Sequence, residues 1–180
     1  FFNHFELQFA DTTLAKEEFR NDINLIFNRN GITFSLNEDG QVIRVLPKCI
    51  EELMVVPMLQ EPTIKEILSL AIKKFMSPQF EERKIGLEKL WDVFERIKTA
   101  YRTDLEKKDS AALLIEAIAN GNESFKKALD EECKALTKYG NDFQIRHFEV
   151  NKIAITSSEM LDYLFVRMMN MVRLFLSVSR

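Results

Sequence analysis

Apolar residues recur at intervals of three and four along most of this chain, the spacing of one buried helical face. Leu14, Phe19, Ile23, Ile26 and Phe27 form the first such stripe. Asp11-Thr12-Thr13 supplies cap candidates ahead of it, and Gly31 stands where a left-handed residue would end the helix. The period then changes. Ile32-Thr33-Phe34-Ser35-Leu36 alternates apolar and polar, Asn37-Glu38-Asp39-Gly40 is a turn sequence, and Gln41-Val42-Ile43-Arg44-Val45-Leu46 resumes the alternation. This predicts a β-hairpin with Gly40 supplying φ > 0. Two strands are marginal alone in water, so the hairpin must lie on helices.

Pro47 ends the hairpin, and residues 49–60 are apolar and ambiguous, with Pro57 in their middle. Thr63-Ile64-Lys65-Glu66 reads as a capping box opening a helix with the stripe Ile64, Ile67, Leu68, Ala71, Ile72 and Phe75. Ser77-Pro78 reads as the N-cap and first residue of another helix. Its stripe, Leu87, Leu90, Trp91, Phe94, Ile97 and Tyr101, is the strongest amphipathic signal in the chain. Asp109 is expected to cap a helix carrying Leu113, Leu114, Ile115 and Ile118 to Asn120-Gly121. Asn122 opens the next, with Phe125, Leu129, Cys133 and Leu136, ending at Gly140. Residues 141–155 are expected to be irregular or extended. Thr156-Ser157-Ser158-Glu159 reads as a second capping box for a final helix to about Ser177. There Glu159, Asp162, Asn170, Arg173 and Ser177 share one narrow polar stripe, the mark of a central bundle helix. The expected fold is mainly α: a helical bundle over residues 61–180, with a helix-plus-hairpin subdomain over residues 1–60.

Composition narrows the class. Five glycines and four prolines among 180 residues are too few for the many tight turns of a sandwich or barrel. With 46% apolar residues the chain can bury a real core. Net charge is −3, so any contact with nucleic acid must be local. The apolar run Met160 to Val178 approaches membrane length. It carries Asp162, Arg167, Asn170 and Arg173, however, and each charge would cost about 2.5–3.5 kcal/mol at mid-bilayer. A buried core helix, with no membrane partner, is expected. Cys49 and Cys133 lie far apart, and with two histidines the chain lacks Cys/His zinc spacing. Neither metal nor cofactor is expected. Two lone thiols point to a reducing cytoplasm and read as small buried apolar residues. The opening Phe1-Phe2-Asn3-His4 has neither Met nor a basic n-region. It reads as the start of a fragment with a partner segment missing upstream, not as a signal peptide.

Candidate chemistry is sparse. Phosphate-cradling glycine loops and nucleophile or metalloprotease motifs are absent, and the only histidines are His4 and His147. His147 sits in Tyr139-Gly140-Asn141-Asp142-Phe143-Gln144-Ile145-Arg146-His147-Phe148-Glu149, the densest polar cluster outside the expected helices. Arg146 could pair with a phosphate, and His147 could move the proton of a ribose 2′-OH near neutral pH. In a plain strand these two side chains point to opposite faces, while His147 and Glu149 share one. The competing reading makes His147 structural, pinning the approach to the last helix through Asn141 or Glu149. Glu95-Arg96-Ile97-Lys98 reads as a solvated helix face with ordinary charge pairs. Met160, Met168, Met169 and Met171 read as core filler.

Leu87-Glu88-Lys89-Leu90-Trp91-Asp92-Val93-Phe94-Glu95-Arg96-Ile97-Lys98-Thr99 resembles a segment of bacterial proteins linked to abortive phage infection. So do the stretch from Leu136-Thr137-Lys138 to Phe148-Glu149 and the later Asp162-Tyr163-Leu164-Phe165-Val166-Arg167. Over about residues 60–180 the chain resembles the Abi-like C-terminal domain of the HEPN (higher eukaryote and prokaryote nucleotide-binding) helical class. The resemblance implies an up-and-down HEPN-like bundle acting on or sensing RNA in bacterial anti-phage defence. It also implies a metal-independent endoribonuclease working as a homodimer, with an Arg and a His meeting across the two-fold axis. In that class the His follows the Arg by about four to six residues, whereas Arg146 directly precedes His147. Asn141, Arg146, His147 and Glu149 match the class's Asn…Arg-His…Glu segment. Two readings stay open. In one, Arg146 neutralises a phosphate, His147 is the acid/base, and Asn141 and Glu149 position them. In the other, the chain is a non-catalytic helical oligomerisation or protein-interaction module, and the same segment is structural.

Overall fold

Helix α1 (Thr12–Arg29) stops where its sequence expects it to. Gly31 has φ 65°, the Ile32 N–H donates to the Phe27 carbonyl at 2.9 Å, and the Gly31 N–H donates to the Asn28 carbonyl at 3.0 Å. These two bonds satisfy the last carbonyls in a Schellman ending. Strands β1 (Phe34–Leu36) and β2 (Val42–Arg44) pair antiparallel, Ser35 opposite Ile43, around a turn in which Gly40 has φ 74°. Then follow α2 (Lys48–Leu53), α3 (Pro62–Phe75), α4 (Phe80–Ala100), α5 (Lys107–Ala119), α6 (Glu123–Asp142) and α7 (Ser158–Val178). The computed structural model describes residues 12–57, 61–143, 145 and 152–178. Among them the architecture is seven helices and one two-stranded hairpin, so the chain is mainly α with its hairpin near the N-terminus.

The bundle is organised around α4 and α7. Helix α4 packs along α3 and also against α5 and α7. Helix α7 buries Leu161, Leu164, Phe165, Met168, Met169, Met171, Val172, Phe175 and Leu176, which makes it the central helix its pattern implies. Three of its methionines are therefore core filler. The rings of Phe75 and Phe165 stack with centroids 3.7 Å apart, and Phe94 lies 5.8 Å from Phe175. Each such side chain stabilises by about 1.5–3 kcal/mol on burial. None of the described helices is long and apolar enough to cross a membrane.

Two glycines set how closely elements approach. A Cβ on Gly86 would lie 2.8 Å from the Phe75 backbone nitrogen and 2.9 Å from the Ala71 carbonyl oxygen, so α3 and α4 pack backbone to backbone there. A Cβ on Gly140 would fall 1.6 Å from Trp91 Nε1, inside the space the indole fills. Gly140 is therefore not a helix end. It lies within α6, which continues to Asp142, and it faces the only tryptophan of the sequence.

Several caps differ from the sequence pattern. Helix α3 is capped by Glu61, whose carboxylate accepts from the Ile64 N–H, not by Thr63; Pro62, with no N–H to satisfy, takes the first position. Helix α4 starts at Phe80, two residues beyond Pro78, because the Ser77 hydroxyl turns onto the Gln79 N–H (3.2 Å). Asp109 lies in the first turn of α5 behind Glu106, and Ser157 rather than Thr156 accepts from the Met160 N–H. Asn122 caps α6 as expected, accepting from the Phe125 N–H at 2.9 Å. Cys133 is buried but Cys49 is exposed on α2, contrary to the expectation for both. Lys98 is also buried, so Glu95–Lys98 is not a solvated face.

Gly86→Ala is expected to lower stability by about 2 kcal/mol or more, despite alanine's helix propensity advantage of about 1 kcal/mol. Gly140→Ala should displace Trp91 and red-shift its fluorescence, which Gly86→Ala should not. Urea titrations and emission spectra of both variants check this. Wild-type midpoints and spectra in both would contradict the packing described.

Candidate functional site

Of the four sequence-derived site residues, Asn141 lies exposed on the last turn of α6. Arg146, His147 and Glu149 lie outside the described residues. The two ends of the segment that carries them are held together. Phe143 forms an isolated parallel bridge with Ile153, and the Ile153 N–H donates to the Asp142 carbonyl at 2.9 Å. Ile145, just inside this closure, is buried. The end of α6 and the approach to α7 are thus in contact at this point.

Tyr139, edge-on to Phe143, leads from this closure to a paired polar cluster. Arg167 of α7 holds Glu132 of α6 bidentately, Nε to Oε1 and Nη2 to Oε2 both at 2.7 Å. Its Nη1 donates to the hydroxyls of Tyr139 (3.2 Å) and Tyr163 (2.9 Å). The guanidinium carbon lies 5.1 and 5.7 Å from the two ring centroids, so cation–π attraction adds to the ion pair. Hydrogen bonding to Glu132 raises the Arg167 pKa above its ordinary value. A planar fork so engaged has little left for a phosphate.

A second polar centre lies inside the molecule and is the one the sequence pattern does not single out. Asp162 of α7 accepts from Arg44 of β2 through both oxygens, Nη1 to Oδ1 at 3.0 Å and Nη2 to Oδ2 at 2.6 Å. Its Oδ1 also accepts from Nη2 of Arg83 on α4. Arg83 is buried and donates further to the Ser158 hydroxyl (3.2 Å) and carbonyl (3.3 Å). Both guanidinium carbons lie within 6 Å of the Phe75 ring centroid, at 5.4 and 5.8 Å. Burial, and after it the neighbouring Arg44, lower the Arg83 pKa; Asp162 opposes both. Arginine stays charged throughout. The cluster's role is to join β2, α4 and α7 around Phe75. The sequence did carry a signal: Arg83 falls on the buried stripe of α4 four residues before Leu87, and a charge there requires a partner from another element.

Remaining candidates are also structural. Lys98 of α4 bonds Glu95 and the Thr137 hydroxyl of α6, while Lys107 of α5 takes the other Glu95 oxygen. Burial pushes the Cys133 thiol up to about 11, so it is protonated and unreactive at neutral pH. Among the described residues no group of acidic, Cys or His side chains could hold a metal ion.

Asp162→Ala is expected to cost about 2–3 kcal/mol, since it strands two guanidinia, one of them buried. That is below the value for a fully buried pair because the Asp162 side chain is 32% exposed. Arg44→Met should cost about 1 kcal/mol, as Asp162 keeps Arg83. Denaturant titrations measure both, and an Asp162→Ala effect within about 0.5 kcal/mol, typical of a surface change, would contradict the cluster's role.

No family model, no curated protein and no solved structure matches this chain.

Proposed function

We propose that the chain is a non-catalytic helical protein-interaction module that self-associates through α1. The observation that carries this reading is the poor cover of that helix. Ala15 is its one buried side chain among the described residues, while Leu14, Leu25 and Ile26 are 55%, 47% and 52% exposed. Its main packing partner among the described residues is the three-residue strand β1. Among the described residues, six of the twelve large exposed apolar side chains, Leu14, Leu25, Ile26, Ile32, Val45 and Val55, fall in residues 12–57. That stretch is less than a third of the described chain, so apolar exposure is concentrated on it. The cations support the same reading. Arg44, Arg83, Lys98 and Arg167 are held by carboxylates within the fold, and the net charge is −3. These four are engaged by carboxylates and are not free to hold a phosphate backbone.

The test is the oligomeric state. The wild type is expected to dimerise in light-scattering measurements. Each apolar side chain at such a contact contributes about 1.5–3 kcal/mol, so Leu25→Glu/Ile26→Glu should weaken association about a hundredfold or more with an unchanged far-UV circular dichroism spectrum. A monomeric wild type, or a double variant that still dimerises, contradicts the reading.

One observation favours the RNA-directed reading instead: the bridge between Phe143 and Ile153 joins the two ends of the sequence that holds Arg146, His147 and Glu149, next in the chain to the exposed Asn141. In that reading the chain is a metal-independent endoribonuclease of abortive-infection type. Incubation of single-stranded RNA with purified wild type and His147→Ala, in chelator, separates the two. The interaction module leaves RNA intact in both arms. Cleavage by the wild type that disappears in a folded His147→Ala protein would replace it with the nuclease.

A further inference from the structure

The outer edge of β2 is open for one residue. In the β1–β2 ladder the Val45 N–H donates to the Thr33 carbonyl and the Asn37 N–H to the Gln41 carbonyl, both at 2.9 Å. Val42 and Arg44 alternate with these positions, so their N–H and C=O groups point away from β1. The opposite edge, on β1, is already closed. The Asn24 carboxamide accepts from the Leu36 N–H at 2.6 Å and donates to its carbonyl at 3.0 Å. On β2 the Arg44 N–H donates to the Met76 carbonyl at 3.1 Å, so the end of α3 replaces a third strand there. The chain then turns away at Ser77-Pro78. Val42, two residues back on the same edge, has no hydrogen-bond partner for its N–H or C=O among the described residues.

An open groove of about 760 Å³ separates this edge from the departing α3–α4 connection. Val42 and Ile43 line one side, Met76, Pro78 and Gln79 the other. Of its two lysines, Lys74 is held by Glu82, while Lys73 is exposed and has no ion-pair partner among the described residues. One donor and one acceptor from a single strand residue match the backbone of another extended chain.

The geometry points to this groove as the docking site for an extended peptide segment of a partner protein. The segment adds to β2 as a short third strand, pairs its backbone with the Val42 N–H and C=O, and sets an acidic side chain against Lys73. The Met76 carbonyl at Arg44 stops the added strand in one direction, so recognition is short and lies toward the hairpin turn. This surface is separate from the exposed side of α1 and does not depend on self-association.

The probe is a capped Val-Glu-Val-Glu-Val peptide titrated into the ¹⁵N-labelled full chain. The Val42 amide resonance is expected to shift saturably. The same peptide methylated on its central backbone nitrogen should bind about tenfold more weakly, the loss of one backbone hydrogen bond with its partner left unpaired. A Val-Lys-Val-Lys-Val peptide should also bind more weakly, and Lys73→Glu should reverse that preference. Val42→Pro removes the outward N–H without touching the ladder, as edge strands tolerate, and should weaken binding about tenfold. If that variant fails to fold, the methylated peptide on the wild type decides. An unshifted Val42 amide at saturating peptide, or equal affinity for the methylated and unmethylated peptides, overturns the proposal.

Discussion

One carboxylate serves two guanidinium groups at the point where β2, α4 and α7 meet. Among the described residues Asp162 is the only acid that Arg44 and Arg83 share, and Arg83 is buried, so its charge is tolerable only while Asp162 stays in place. Around this point the Phe75 ring stacks on Phe165 and lies near both guanidinium carbons. The hairpin thus reaches the bundle through a charged side chain, Arg44, and the backbone bond of the same residue to Met76. The exposed apolar side of α1 and the open edge at Val42 both follow from that narrow attachment. A hairpin sealed against the helices along its length would leave neither.

The same use of charge recurs across the bundle. Arg167 and Glu132 join α6 to α7, and Lys98, Glu95 and Lys107 join α4 to α5 with Thr137 of α6 alongside. Such pairs contribute little net stability against apolar replacements of similar shape, but each fixes which helix faces which. They also engage Arg167 and Lys98, so neither is free for a phosphate. This fits the proposed function: with Arg44, Arg83, Lys98 and Arg167 engaged within the fold, association rests on apolar side chains and backbone edges.

The helices and the hairpin were legible because burial imposes a period. The stripes of α4 and α7 stand out, and Gly31 and Gly40 take the positive φ that their positions in the sequence imply. Caps were less legible, because Glu61, Ser77 and Ser157 compete with neighbours one or two residues away for the same N–H groups, and local sequence does not decide the winner. Gly140 was misread for a different reason: the Trp91 indole that needs its missing side chain comes from a helix about fifty residues earlier. The Asp162 cluster was half legible. Asp162 belongs to a visible polar stripe, but its partners lie 118 and 79 residues away, beyond the reach of any local pattern. Of the candidate site, Asn141 is placed on the exposed end of α6, and Arg146, His147 and Glu149 lie outside the described residues.

Native-state hydrogen exchange on the wild type and Arg44→Met tests most directly whether Asp162 holds the hairpin to the bundle. The amides of α1, β1 and β2 should open more readily in the variant, while those of α4 and α7 keep their wild-type protection. Equal loss of protection in all five elements, or no change in any, would show that hairpin and bundle are joined by something other than this ion cluster.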